Sequence, residues 1–218
     1  MTDRLTSARK GPKAASSAVI FLHGYGADGN DLLGLADPLA QHLPQTAFFA
    51  PNAPEPCRNN PMGFQWFPIP WLDGSGEDEA RSSMRRSVGL LDAYIDGVLA
   101  QEALTPDRLV LLGFSQGTMM ALHVAPRRAQ AVAGVVGFSG RLLSSETLEA
   151  EAQVRPPVLL IHGDQDEMVP FDDMALAGNA LLGAGFTVYG HVMEGTGHGI
   201  APDGLSVALA FIRDHLPR

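Results

Sequence analysis

Six short runs of almost unbroken apolar character punctuate this chain: AVIFL at 18–22, TAFFA at 46–50, RLVLL at 108–112, AVAGVVGF at 131–138, PVLLI at 157–161 and FTVYGHV at 186–192. Their lack of alternation marks strands covered on both faces, as in a parallel sheet. Between them the period lengthens. Residues 78–102 place Met84, Val88, Leu91, Ile95 and Val98 at three- and four-residue spacing, one apolar face of a long helix. Residues 172–183 and 203–216 read the same way, and a helix beginning near Gly117 stops at Pro126. Strands alternating with helices predict βαβ units: an α/β fold with a mostly parallel, doubly wound sheet and helices on both faces. The polar stretch 1–16 predicts a loose N-terminal arm, and 17–218 a single domain with no separate lid.

One segment breaks this rhythm. Residues 51–77 hold six of the sixteen prolines and both tryptophans, Trp66 and Trp71. A long irregular connection inside a compact domain is often functional, although its aromatics can equally plug the edge of a core. The lengths fit one core rather than two. A net charge of −9 argues against nucleic acid and anionic membrane surfaces as partners. A single cysteine, Cys57, allows no intrachain disulfide and suits a reducing, cytoplasmic setting. No apolar run is long enough for a membrane span, and the first residues lack the apolar core of a secretory signal.

The chemistry concentrates where the third apolar segment ends. Gly113-Phe114-Ser115-Gln116-Gly117 fits G-x-S-x-G, in which a sharp strand-to-helix turn lifts a serine out of the carboxyl edge of a sheet. In a glycine-rich chain the motif alone can be accidental, but here a strand precedes it and a helix follows. A serine hydroxyl needs a base to take its proton and an acid to orient that base. Three downstream histidines qualify by order. His191 falls inside a strand-like run, His215 at the end of the last helix, and His198 in the glycine-rich loop EGTGHG, which makes it the expected base. For the acid, Asp164, Asp166 and Glu167 compete within HGDQDE. His162, Asp164 and Asp166 could also be read as metal ligands, but no further ligand set stands at a recognisable spacing, so neither metal nor cofactor is expected. Two backbone N–H groups should hold the developing negative charge. Gln116 supplies one, and the glycine turn in FLHGYGADGNDL supplies the other.

Together, LHGYGADGND, GFSQG, HGDQDEMVP and GTGHG resemble the phospholipase/carboxylesterase family of α/β-hydrolases, which includes acyl-protein thioesterases and small bacterial carboxylesterases. The resemblance implies Ser115 as nucleophile, Asp166 as acid and His198 as base, with Tyr25 and Gln116 as backbone donors. It implies a serine esterase working through an acyl-enzyme on a small-molecule ester. The alternatives are an acyl-protein thioesterase or lysophospholipase and, more remotely, a non-catalytic binding module of the same fold. Relatives are often dimers, so a homodimer is possible. FQWFPI at 64–69 is similar to a tryptophan-bearing segment beside the family's active site. Phe64, Trp66, Phe67 and Trp71, with Met168 and Val169 after the acid, are therefore expected to bind substrate. Trp66 is expected to wall a pocket that prefers short to medium acyl chains.

Overall fold

The computed structural model describes residues 4–217. Among them a seven-stranded sheet runs in the order β1-β3-β2-β6-β7-β8-β9. The strands are β1 (Ser7–Lys10), β2 (Ser17–Leu22), β3 (Thr46–Pro51), β6 (Leu109–Phe114), β7 (Gly134–Phe138), β8 (Val158–Gly163) and β9 (Val188–Met193). Every pairing is parallel except β1 with β3. A separate two-stranded ribbon joins β4 (Glu55–Pro56) to β5 (Phe64–Gln65).

Five of the six unbroken apolar runs have the cause expected of them; the sixth, β9, ends the sheet and is largely exposed, with Tyr189 and Val192 open to solvent, so it is not covered on both faces. Along β2, Ala18, Ile20 and Leu22 face one core while Val19 and Phe21 face another; β6 splits likewise, Leu109 and Leu111 from Val110 and Leu112. The first core is closed by α4 (Glu77–Glu102), α5 (Gln116–Val124) and α7 (Asp172–Gly183). The second is closed by α1 (Gly29–Leu33), α2 (Ala36–Ala40) and α8 (Pro202–His215). Two short helices, α3 (Pro70–Asp73) and α6 (Leu148–Glu151), complete the chain. Capping fixes α1: Asp28 accepts from the N–H groups of Asn30 and Asp31, and the Asp31 carboxylate accepts from the N–H of Asp28.

Two expectations change. Ser7–Lys10 belongs to no loose arm but pairs antiparallel along β3, and Arg9 grips Glu102 with two hydrogen bonds of 2.9 and 2.8 Å. An edge strand of polar residues leaves no apolar signal in the sequence. In α4 the buried stripe runs through Ala80, Ser83, Ser87, Leu91, Ile95 and Val98, not through Met84 and Val88, which are half-buried. Ser83 and Ser87 face inward because their hydroxyls find polar partners there, Glu55 and the Trp66 carbonyl.

Candidate active site

Parallel strands send all their carboxyl ends to one edge, where ligands bind in open α/β sheets. Four chain segments of interest leave from that edge: the turn after β2 with Tyr25, the turn after β6 with Ser115, the turn after β8 with Asp166, and the loop after β9 with His198.

Ser115 stands between β6 and α5 at φ 55° and ψ −116°, a conformation costly for a residue with a side chain. The surroundings hold it there. Its N–H donates to the Phe138 carbonyl at the end of β7 (2.8 Å), and its own carbonyl accepts from Met119. The flanking glycines are steric necessities: a Cβ on Gly117 would sit 1.9 Å from the Leu22 oxygen, and one on Gly113 would sit 2.4 Å from the Thr118 nitrogen. Strand and helix therefore cross at backbone contact, and the hydroxyl stands at the sheet edge.

Asp166 is buried and fully partnered. One carboxylate oxygen accepts from the N–H groups of Met168 and Val169, both at 2.9 Å. The other lies 2.8 Å from His198 Nδ1 and 3.3 Å from His162 Nε2. Burial works against its charge, but the Val169 amide, His198 and the Met168 amide outweigh that and hold the carboxyl below its ordinary range. With His198 donating its Nδ1–H to the Asp166 carboxylate, its Nε2 lone pair is the one free to accept a proton. The His198 ring packs on Phe114, centroids 4.8 Å apart.

The other polar residues of this region serve other ends. Asp164 accepts from the N–H of Gly195 at 2.7 Å and so pins the loop that leads to His198. His162 Nε2 also donates to the Val169 carbonyl at 3.0 Å. Glu167 is exposed. Of the three residues weighed as metal ligands, His162 and Asp166 thus lie against each other while Asp164 holds the Gly195 amide. Among the described residues, no group of three or more His, Cys, Asp or Glu side chains is arranged to hold a metal ion. His191 pairs with Asp203 (2.7 Å) and His215 with the Phe211 carbonyl (2.8 Å), both away from Ser115's partners.

A continuous polar framework carries the two expected oxyanion donors. Gln116 is the first residue of α5, so its N–H has no acceptor within the helix. Its buried side chain bridges to the strap after β5, accepting from the N–H of Trp66 (2.8 Å) and donating to the carbonyl of Phe67 (2.7 Å). The Trp66 indole donates to the His23 carbonyl at 3.0 Å. Phe64 exchanges backbone bonds with Gly26 and Ala27, on the far side of Tyr25. His23 is buried; its Nδ1–H donates to the Gly24 carbonyl at 2.7 Å, and its Nε2 accepts from the N–H of Ala53. Gly24 C=O and Tyr25 N–H belong to one planar peptide unit, so that bond sets the direction of the Tyr25 amide. Burial, partly offset by the Gly24 bond, lowers the His23 pKa and keeps the ring neutral. Neither His23 nor the Gln116 side chain stood out in the sequence. The one signal was a histidine closing an apolar strand directly before a glycine turn.

The aromatic residues of 64–71 divide. Trp66 is 0% exposed and belongs to the core. It walls no pocket, because its indole N–H is satisfied inward and its ring meets His23 (centroids 5.7 Å). Val169 is likewise buried and serves Asp166 through its amide, offering a substrate almost no surface. Phe64 and Phe67 are half-buried against the same core. Trp71 and Met168 are 72% and 52% exposed. Trp71 rides on α3, which is tied to the turn after β2 by the Tyr25 hydroxyl donating to Asp73 at 2.9 Å. The Asp73 carboxylate also accepts from the N–H groups of Ile69 and Ser75.

Comparison with known proteins agrees with this geometry. The family model of phospholipases and carboxylesterases matches residues 6–216. Acyl-protein thioesterase 1 of Gibberella zeae is 30% identical over 215 residues, covering 93% of this chain and 92% of its own length. Esterase YpfH of Escherichia coli is 27% identical, with 94% and 86% covered. The crystal structure of esterase PE8 superposes with a TM-score of 0.91 at 40% identity, covering 98% of this chain and all of that one. A serine at a strained strand-to-helix turn, in a sheet superposing on that of an esterase over almost its whole length, leaves one assignment: the chain is a serine hydrolase of the α/β-hydrolase fold and belongs to the phospholipase/carboxylesterase family.

Proposed function

We propose that the protein is a carboxylesterase in which Ser115 is the nucleophile, His198 the general base and Asp166 the orienting acid, acting on carboxylic esters of short to medium acyl chains. The observation that carries this reading is the conjunction of a strained Ser115 with a His198–Asp166 bond of 2.8 Å at the same sheet edge.

The steps follow from the roles. His198 Nε2 takes the Ser115 proton as Oγ attacks the carbonyl carbon. The amides of Tyr25 and Gln116 hold the resulting oxyanion, the largest single stabilisation in such reactions. His198 returns the proton to the departing alcohol, and water then cleaves the acyl-enzyme through the same base. Asp166 keeps the imidazole in the tautomer that both steps need. The residues named supply every acid, base and electrostatic function of this sequence, so no cofactor enters the scheme.

Thioesters of acylated proteins are the second reading, favoured by relatives named acyl-protein thioesterase 1. Paired oxyester and thioester substrates with the same acyl groups, from two to sixteen carbons, separate the two. A carboxylesterase shows its highest kcat/KM on oxyesters of the shorter acids. A thioesterase shows it on long-chain thioesters, and that result would replace the first reading.

A further inference from the structure

Beside Ser115, on the face closed by α1 and α8, lies a cavity of about 340 Å³. It is walled mainly by Gly24, Ala27, Leu32, Leu35, Phe114 and Ile200, and His23 and Asp31 also line it. Its placement is informative. Gly24 belongs to the oxyanion turn, and a Cβ there would approach the Ser115 Cβ to 3.3 Å. Phe114 immediately precedes Ser115 and packs on the ring of His198. Ile200 lies two residues beyond His198. Each of three loops that carry the reacting groups therefore contributes a wall, and Leu32 of α1 and Leu35, just before α2, contribute the rest.

We infer that this cavity receives the alcohol part of the ester, and that it selects small, uncharged, apolar alcohol groups. The inference rests on the esterase reading above and assigns one side of its substrate. Acylation forms the Ser115 Oγ–C bond and breaks the bond between the carbonyl carbon and the alcohol oxygen. The proton leaves Oγ for His198 Nε2 and passes to the alcohol oxygen, with no change in oxidation state. The departing oxygen must therefore face His198, and the group attached to it extends to His198's side of Ser115. The cavity opens there. The acyl chain then extends away from this cavity. The walls are aliphatic or aromatic apart from His23 and Asp31. The first is a neutral ring held by Gly24 and Ala53. The second is a carboxylate already accepting the Asp28 amide that would repel an anionic alcohol. A volume of about 340 Å³ holds a branched butyl or a benzyl group with room to spare, since a water molecule occupies roughly 30 Å³ in the liquid.

The test holds the acyl group constant and varies the alcohol. Butyrate esters of methanol, isobutanol and benzyl alcohol share one acyl-enzyme, so their kcat/KM values differ only in binding and acylation. The wild-type protein is expected to favour benzyl over methyl. Leu35→Trp, which fills the cavity from a half-buried position, is expected to lower the benzyl-to-methyl ratio about tenfold, the scale on which an apolar pocket discriminates. Leu35→Ala is expected to shift preference toward bulkier alcohols. Circular dichroism confirms that each variant is folded. Ratios unchanged in both folded variants would overturn the assignment. So would a changed preference along an acyl series with the alcohol fixed, which would give the cavity to the acid part. Ser115→Ala, assayed in parallel, tests the esterase reading separately: turnover by that variant would sink the reading and not merely the pocket.

Discussion

The two flanks of Ser115 are built on opposite plans. On the side of Gln116 the chain is filled and polar. Trp66 is wholly buried, and hydrogen bonds run from Gln116 through Trp66 to His23 and back along Phe64 to the turn that holds Tyr25. On the side of Phe114 the chain is apolar and incompletely filled, with a cavity between α1, Phe114 and Ile200. The difference matches two demands that hydrolysis makes on a protein. The charge on the oxyanion is the same for every ester, so its donors gain from being fixed in advance. The groups on either side of the ester bond vary, and a cavity lined by side chains can be adjusted without moving those donors. Variants on the filled flank should therefore lower turnover for all esters, whereas variants on the open flank should change which ester is preferred.

The sharpest break lies in the acid that holds His198. Asp166→Asn should lower kcat by roughly 10⁴-fold for every ester, because the amide favours the wrong imidazole tautomer. Asp164→Asn, which disturbs only the Gly195 contact, should cost far less turnover. The reverse ranking in steady-state assays would move the acid to Asp164.

Gln116→Met comes next. It keeps the backbone donor and the side-chain length, but strips the polar bridge to Trp66 and Phe67. We expect kcat to fall about 10- to 100-fold with little change in KM, somewhat less than the loss of a whole oxyanion donor. A rise in KM at constant kcat would show that the bridge serves ground-state binding instead.

The two tryptophans form an internal control. Trp66→Ala should cost about 3–5 kcal/mol of stability by urea unfolding, as expected for a large buried ring, and lower turnover on all esters. Trp71→Ala should change stability by no more than about 0.5 kcal/mol and alter only acyl-chain preference. A stable Trp66→Ala protein with a shifted acyl profile would restore Trp66 to the pocket wall.

The smallest effect concerns pH. The His23 pKa lies below its ordinary 6.5, chiefly through burial, so the unfolded chain binds the proton more readily. Its contribution to stability is complete above 6.5 and is lost as pH falls toward the lowered folded value. Asp166, held below its ordinary 3.8, has the same sign in a more acidic window. Midpoints of urea unfolding should therefore drop between pH 7.5 and 5, and drop less in His23→Asn. Equal slopes in the two proteins would contradict a neutral, buried His23.

The parts of this design were unequally legible in the sequence. Strands covered on both faces must be apolar throughout, so β2, β3, β6, β7 and β8 announced themselves. Ser115, Asp166 and His198 stood in local patterns of glycine and charge imposed by the turns that carry them. The filled flank was opaque for a physical reason. Its bonds run between side chains and backbone groups distant in the chain, such as Gln116 with Trp66 and Phe67, and composition does not record a carbonyl's partner. The same ambiguity hid the difference between Trp66 and Trp71: an aromatic residue in a proline-rich segment suits a pocket wall or a core equally well. The cavity was invisible because it is a space between α1 and three loops, outlined by leucines and an isoleucine that any core could use.

Both flanks have meaning only if Ser115 is the residue acylated between them. Labelling with a fluorophosphonate, followed by proteolysis and mass spectrometry of the peptides, addresses this directly. The account predicts a single adduct on the peptide containing Ser115, and neither adduct nor ester turnover in folded Ser115→Ala. An adduct on another residue, or a Ser115→Ala protein that still turns over ester, would contradict it.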